Sequence, residues 1–280
     1  MQKFAISRPR RFAAIAVAAV LAPLAGTNCL AAEPVWDEIK PAIFGERTIY
    51  LGNPANIMLT TPYRSSDDRE VPVEVSAKFS DGRTVRSVTV VIDENPMPVS
   101  AVFRFDDARS AVAVAANMRF NGPSPIRAIV ETGDGKLYMS EAYVKTSGLG
   151  ACASPPVSNP TEAFASMGQM TLKHSVAADQ SSRNITQLTQ TAQLKIKHPN
   201  LTGLQMDQIT LQYIPARYIS IIEVQQGEER VMTIESGIAL SEDPQIRFDY
   251  RLNGSGTISV YVKDTDGTEF RQEFPAGTGS

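Results

Sequence analysis

Val71-Pro72-Val73-Glu74-Val75-Ser76-Ala77-Lys78-Phe79 and Val85-Arg86-Ser87-Val88-Thr89-Val90-Val91-Ile92, separated by Asp81-Gly82, are the stretch that decides the fold. Apolar residues recur at every second position and β-branched side chains dominate, as expected of extended chain with one face buried. Asp81-Gly82 reads as a hairpin turn between them. Working outward, strand patterns recur at Ile57–Thr60, Val99–Phe105, Ala111–Met118, Ser124–Thr132 and Lys136–Val144, with Gly133-Asp134-Gly135 closing another hairpin. Before them, Pro34 to Gly45 carries Trp36, Ile39, Ile43 and Phe44 at spacings of three and four, the pattern of a short helix lying on the domain and stopped by Gly45. Trp36 reads as a packed aromatic. Seven or so short strands with almost no helix after Gly45 predict a β-sandwich over residues 33–146.

Farther out, the composition shifts to Ala153-Ser154-Pro155-Pro156-Val157-Ser158-Asn159-Pro160, a proline-stiffened linker, so residues 147–168 are an arm and boundary. From residue 169 to 280 the strand pattern returns: Met170–Val176, Thr189–Lys197, Gln208–Leu211, Tyr218–Gln225, Arg230–Ile234, Gln245–Leu252, Gly256–Lys263 and Thr268–Phe274. Gln226-Gly227, Asn253-Gly254 and Asp266-Gly267 read as its hairpin turns. The expected fold class is all-β, two sandwiches in tandem with a short helix on the first.

At the other end, residues 1–32 have the form of a secretory signal peptide. Lys3, Arg8, Arg10 and Arg11 precede the apolar run Phe12–Leu24, which is too short and alanine-rich for a spanning helix, and a small-residue stretch ending in Ala31-Ala32 follows. A lipid anchor at Cys29 is the competing reading, disfavoured by Asn28 where that signal wants a small residue. The expected location is therefore the periplasm. A formal net charge of −3, without a basic stripe, argues against nucleic acid as a ligand, and no second apolar run reaches membrane-spanning length.

Removal of the leader takes Cys29 with it and leaves Cys152 as the single cysteine of a chain bound for an oxidising compartment, where structural cysteines come in pairs. Cys152 lies in Lys145-Thr146-Ser147-Gly148-Leu149-Gly150-Ala151-Cys152-Ala153. Small side chains offer little to bury and Gly148 and Gly150 loosen the backbone, so the segment reads as a mobile arm presenting Cys152 to solvent or partners. With Lys145 as the only near cation in sequence, the thiol's pKa is expected near the free value of about 8.5. A silent linker cysteine is the bland alternative. A Cys–His hydrolase would need His174 or His198, the only two histidines, brought onto the arm. Two histidines and one cysteine make no convincing zinc site, and the absence of a CxxC pair excludes dithiol chemistry within the chain. The charged run Arg64 to Glu70 alternates in sign between two strands and reads as a solvated loop rather than a carboxylate site.

These segments, taken in order, resemble a known family. Trp36 to Ile49 with Phe44-Gly45-Glu46-Arg47, then Thr61-Pro62-Tyr63-Arg64 leading to Val71-Pro72-Val73, and finally the cysteine arm, resemble SoxY. His198-Pro199, Thr202-Gly203-Leu204, Ile214-Pro215-Ala216-Arg217-Tyr218-Ile219 and the strand pair around Asp266-Gly267 resemble SoxZ. These are the two subunits of the sulfur-carrier complex of bacterial periplasmic sulfur oxidation, here joined in one chain. The resemblance implies immunoglobulin-like sandwiches packed on each other, no catalysis and no cofactor. It also implies covalent attachment of a sulfur-containing intermediate to Cys152, with Gly148, Leu149, Gly150, Ala151 and Ala153 forming the carrier arm. The implied partners are periplasmic sulfur-oxidation enzymes or, since the fused architecture is similar to SoxYZ-like carriers associated with pyrroloquinoline-quinone alcohol dehydrogenases, a quinoprotein dehydrogenase system. Two departures stand out: Ala151 and Ala153 flank the cysteine where SoxY has glycines, and a whole domain continues beyond it, turning a free tail into a tethered loop. The alternative is a non-catalytic periplasmic binding or interaction module with no covalent cargo.

Overall fold

The computed structural model describes residues 35–148, 150–156, 160–176 and 189–277. The leader expected at 1–32, and Leu149 of the arm, lie outside these residues. The first part of the chain contains α1 (Val35–Phe44), β1 (Ile49–Leu51), β2 (Ile57–Thr60), β3 (Val71–Lys78), β4 (Val85–Ile92), β5 (Val99–Arg109), β6 (Ala111–Met118), β7 (Ser124–Thr132) and β8 (Leu137–Val144). After the arm come α2 (Pro160–Ser166), β9 (Met170–Val176), β10 (Thr189–Ile196), β11 (Ile219–Gln226), β12 (Glu229–Ser236), β13 (Gln245–Arg251), β14 (Thr257–Asp264) and β15 (Glu269–Pro275). The chain from Pro34 onward is one compact unit.

Alternation becomes burial as the side-chain period of two requires. In β3, Val71, Val73, Val75 and Ala77 are buried while Pro72 and Lys78 face out. Pro72 is tolerated because β2 ends opposite Glu74, leaving the edge of β3 open at that residue. In β4 the alternation fails after Arg86, and Val88 through Ile92 are all buried. The cause is α1, whose Ile39 and Phe44 cover Val91, Ile129 and Leu137 on the outer face, with Trp36 and Ile43 beside them. The expected helix thus lies where its apolar stripe points. It ends at Gly45, whose N–H donates to the Pro41 carbonyl at a φ of +59°.

Two sheets result, and each takes strands from both parts of the chain. One has nine strands in the order β1-β8-β7-β4-β5-β12-β11-β14-β15, the other six in the order β2-β3-β6-β13-β10-β9. The first part meets the second at two edge-to-edge antiparallel seams. In one, Phe103 of β5 faces Ile234 of β12; in the other, Val114 of β6 faces Phe248 of β13. One apolar cluster spans both parts between the layers, with Phe103, Phe120, Phe248 and Tyr250 among its fully buried side chains. Arg104–Glu235 at 2.8 Å and Glu74–Arg247 at 2.5 Å tie the seams on the outside.

Three local readings are corrected. Asp81-Gly82 and Asn253-Gly254 are not hairpin turns: β3 and β4 belong to different sheets, as do β13 and β14, so both turns carry the chain from one layer to the other. Gln208–Leu211 is no strand but part of a turn organised by Asp207, whose Oδ1 accepts from the N–H groups of Ile209 and Thr210. The proline-rich linker also ends in a helical turn, α2, which begins on Pro160.

Candidate functional site

The arm leaves β8 already fastened. Lys145 N–H donates to the Tyr63 carbonyl at 2.7 Å, Ser65 N–H to the Lys145 carbonyl at 3.0 Å, and Asp68 accepts from both the N–H (2.8 Å) and the hydroxyl of Ser147. The charged run Arg64–Glu70 is thus a loop, as expected, but it is also the lashing at the arm's root. Gly148 and Gly150 have φ of +78° and +71°, values an L side chain reaches only with strain, so here glycine sets a fixed bend. Ala153 N–H closes a tight turn on the Gly150 carbonyl at 2.9 Å.

That turn drives Cys152 inward. Its relative exposure is 0% and that of Ala151 4%, while Gly148 and Ala153 face solvent. The expectation of a solvent-presented cysteine is therefore overturned: a backbone with both glycines bent left-handed and its carbonyls clamped has little freedom left. The clamps come from the chain beyond the arm. Thr202 Oγ1 donates to the Cys152 carbonyl at 2.5 Å, and Gln205 Nε2 donates to the Ser154 carbonyl at 3.0 Å. Gln205 Oε1 in turn accepts from Thr202 N–H at 3.1 Å, which joins the two clamps into one piece. Gly203, between them, has a φ of +83°, and an added Cβ would stand 3.0 Å from that of Ala216, so the loop closes tightly there.

The thiol's chemistry follows from its seat. Burial pushes its pKa up to about 11, with Arg119 opposing, so the free-thiol value expected from sequence is also corrected. The closed arm holds a neutral, unreactive thiol at neutral pH. Cys152 is free of any disulfide.

Arg119 follows β6 and is 2% exposed. Its Nη1 donates to the carbonyls of Asn200 (2.9 Å), Leu240 (2.8 Å) and Ile238 (3.3 Å), and Asn95 Nδ2 holds its own carbonyl at 2.8 Å. Asn200 is itself fixed by Ser241 and Ile219. Arg119, Ala151, Ser154, Pro155 and Gln205 line a small crevice with Arg69, Glu70 and Glu242, and about 10 Å³ of it is open to a water centre, room for one molecule. Sequence reasoning missed Arg119, Thr202 and Gln205 as neighbours of the arm. Thr202 lay within a quoted motif, but nothing local pairs it with a residue fifty positions earlier.

Neither histidine serves the thiol. His174 is engaged by the Tyr250 hydroxyl at 3.1 Å and the Pro275 carbonyl at 3.0 Å. Buried His198 accepts from Asn200 N–H through Nδ1, and its Nε2 lies 3.6 Å from Asp264. Burial lowers the His198 pKa. The Cys–His arrangement of a hydrolase is therefore not formed. Among the described residues no group of three or more His, Cys, Asp or Glu could hold a metal ion, and no helix is long and apolar enough to cross a membrane.

Comparison with known proteins gives two successive matches. Residues 40–152 match the family model of sulfur oxidation protein SoxY, ending on Cys152 itself, and residues 181–275 match that of sulphur oxidation protein SoxZ. Among solved structures, the sulfur carrier protein SoxY from Chlorobium limicola f thiosulfatophilum is 25% identical, covering 40% of this chain and 94% of that one, with a TM-score of 0.34. A superoxide reductase (neelaredoxin) from Ignicoccus hospitalis is 15% identical, covering 33% of this chain and 80% of that one, with a TM-score of 0.27. No curated protein matches the chain.

Proposed function

We propose, from the premise that this chain is a fused SoxY-like and SoxZ-like sulfur-carrier architecture, that it is a carrier holding a sulfur-containing intermediate covalently on Cys152. SoxY and SoxZ proteins are non-catalytic carriers that function with other periplasmic sulfur-oxidation enzymes, and the periplasm, with residues 1–32 as its address, is the proposed location. The observation that carries the reading is the seat: the arm of an unpaired, buried cysteine at the end of the SoxY-like match is clamped through its carbonyls by Thr202 and Gln205 of the SoxZ-like match. A linker cysteine without a role would need no such clamps.

The carrier works between two arm positions. In the closed position described here the sulfur is out of reach of solvent thiols, and its raised pKa keeps it from reacting. Loading and transfer need the arm released from Thr202 and Gln205, with the left-handed glycines as pivots. Val144, buried, and Lys145, paired with Tyr63 and Ser65, stay in place as the root.

Intact-mass analysis of protein purified from its native compartment, with and without reductant, tests this against Cys152→Ser. A reducible mass addition present in the wild type and absent from the variant is expected, and its size reports the cargo. A bare thiol while the pathway is running would refute covalent carriage and leave the interaction-module reading.

A further inference from the structure

We propose that the loop from Leu201 to Arg217 is the carrier's docking finger, and that its occupant is the partner protein that loads Cys152, which takes Ile209, Leu211 and Tyr213 into an apolar, uncharged socket. Such a partner exists only if the carrier reading holds; the docking surface follows from the loop itself.

The loop is a stiff projection. Leu201 and Arg217 close its base with mutual backbone bonds of 2.8 and 2.9 Å, Ile214 N–H donates to the Gln205 carbonyl at 2.8 Å, and Asp207 N–H donates to the Gln212 carbonyl at 2.9 Å. Asp207 turns the tip, its carboxylate accepting from Ile209 N–H and from the N–H and hydroxyl of Thr210. On this frame three large apolar side chains stand outward: Ile209 is 91% exposed, Leu211 70% and Tyr213 68%. Leu211 also has a φ of +57°, which glycine adopts freely and leucine only with strain. Strain kept at a side chain that gains little burial within its own chain points to a contact outside it.

Area, charge and place define the occupant. The three side chains together show roughly 400–500 Å² of surface, the size of patch that marks an interaction site on a monomer. A stable dimer or permanent complex needs about 800 Å² from each partner, so this patch suits one that arrives and leaves, as a carrier requires. From Leu201 to Ile214 the one charged residue is Asp207, and its carboxylate is bonded within the loop, so the matching socket is apolar. Gln205 joins the finger to the arm: its carbonyl holds Ile214, and its side chain holds the Ser154 carbonyl. The tip at Thr210, five residues on from Gln205, is no more than about 17 Å from it. A protein seated on the tip therefore stands beside the arm it loads.

The test is made in the native host with the pathway running. Cells are stripped of the Cys152 adduct by a brief pulse of dithiothreitol and washed, and its return is timed by intact mass in wild type, Ile209→Ser/Tyr213→Ser and Leu211→Gly. In both variants the adduct should return about tenfold or more slowly, the effect of losing an anchor side chain from a small interface. The purified variants should label with iodoacetamide at the wild-type rate, and Leu211→Gly, relieved of strain, should resist urea at least as well as wild type. Return at the wild-type rate overturns the proposal. So does slow return accompanied in both variants by altered labelling or a lowered urea midpoint, since the finger would then act through the arm's seat. A wild-type dimer that Ile209→Ser/Tyr213→Ser converts to monomer in sedimentation assigns the finger to a second copy and overturns it too. Wild type that never bears an adduct defeats covalent carriage and the docking finger with it, whereas variants that load as fast as a loading wild type defeat the finger alone.

Discussion

Removing the two clamps on the arm should make Cys152 reactive by a calculable amount. In Thr202→Val/Gln205→Ala the arm loses the bonds to the Cys152 and Ser154 carbonyls. At about 1 kcal/mol net for each, the open arm becomes about 30-fold more populated. Since Cys152 is inaccessible in the closed arm, its alkylation rate measures that population directly, and the double variant should label about 30-fold faster than wild type at pH 7. The pH profile gives an independent check. The thiol's pKa is raised from an ordinary 9.0 to about 11 in the closed arm. The closed state binds its proton more tightly, so the stability contributed by this group is fully present below pH 9 and lost as pH rises through about 11. Two units correspond to about 2.7 kcal/mol. Iodoacetamide labelling of wild type, followed by mass spectrometry, should keep rising about tenfold per pH unit beyond 9 and level only near 11, whereas the urea-unfolded protein levels near 9. A wild-type profile that levels near 9 at the unfolded protein's rate would mean that the arm is already open. Equal rates for variant and wild type would mean that Thr202 and Gln205 do not hold it.

Further outcomes can be read from other parts of the molecule. Gly150→Ala meets only Asn121 Oδ1, at 3.6 Å, but must adopt a φ of +71°, a strain of about 1–2 kcal/mol, so labelling of Cys152 should quicken by about tenfold with the melting temperature unchanged. The buried pair Asp93–Arg127 at 2.8 Å supports α1, because the Arg127 guanidinium stacks 4.6 Å from the centroid of the Trp36 ring. Asp93→Ala leaves Arg127 with the half-exposed Glu141 as its one remaining carboxylate partner and should cost about 1.5–3 kcal/mol in urea unfolding. Phe103→Ala, at the seam between β4, β5 and β12, should cost about 3–5 kcal/mol and lower one shared transition in calorimetry; two separate transitions would contradict a core common to both parts.

Most strands were legible because alternation and β-branching are local. Val85–Ile92, Ala111–Met118, Ser124–Thr132 and Met170–Val176 have the bounds read from sequence alone. The turns were legible as turns but not as topology. Asp81-Gly82 has the chemistry of a hairpin, yet whether the next strand folds back onto β3 or crosses to the other layer depends on partners far along the chain. Gln208–Leu211 looked like a strand because apolar residues alternate there, but Ile209 and Leu211 are exposed, and the Asp207 carboxylate captures the amides that a sheet would need.

What the sequence by itself determined is the strand content, the helix on the first part, the single arm cysteine and, through ordered motifs, the likeness to a two-part sulfur carrier. Each depends on residues close in the chain, where propensity and spacing act directly. Only the tertiary structure decided that both sheets run through the two parts and that the arm is closed. Those outcomes rest on pairs such as Phe103 with Ile234 and Cys152 with Thr202. Small residues around a cysteine suggest mobility while the chain is read locally. Distant hydrogen bonds and the burial of one thiol supply the free energy that removes it.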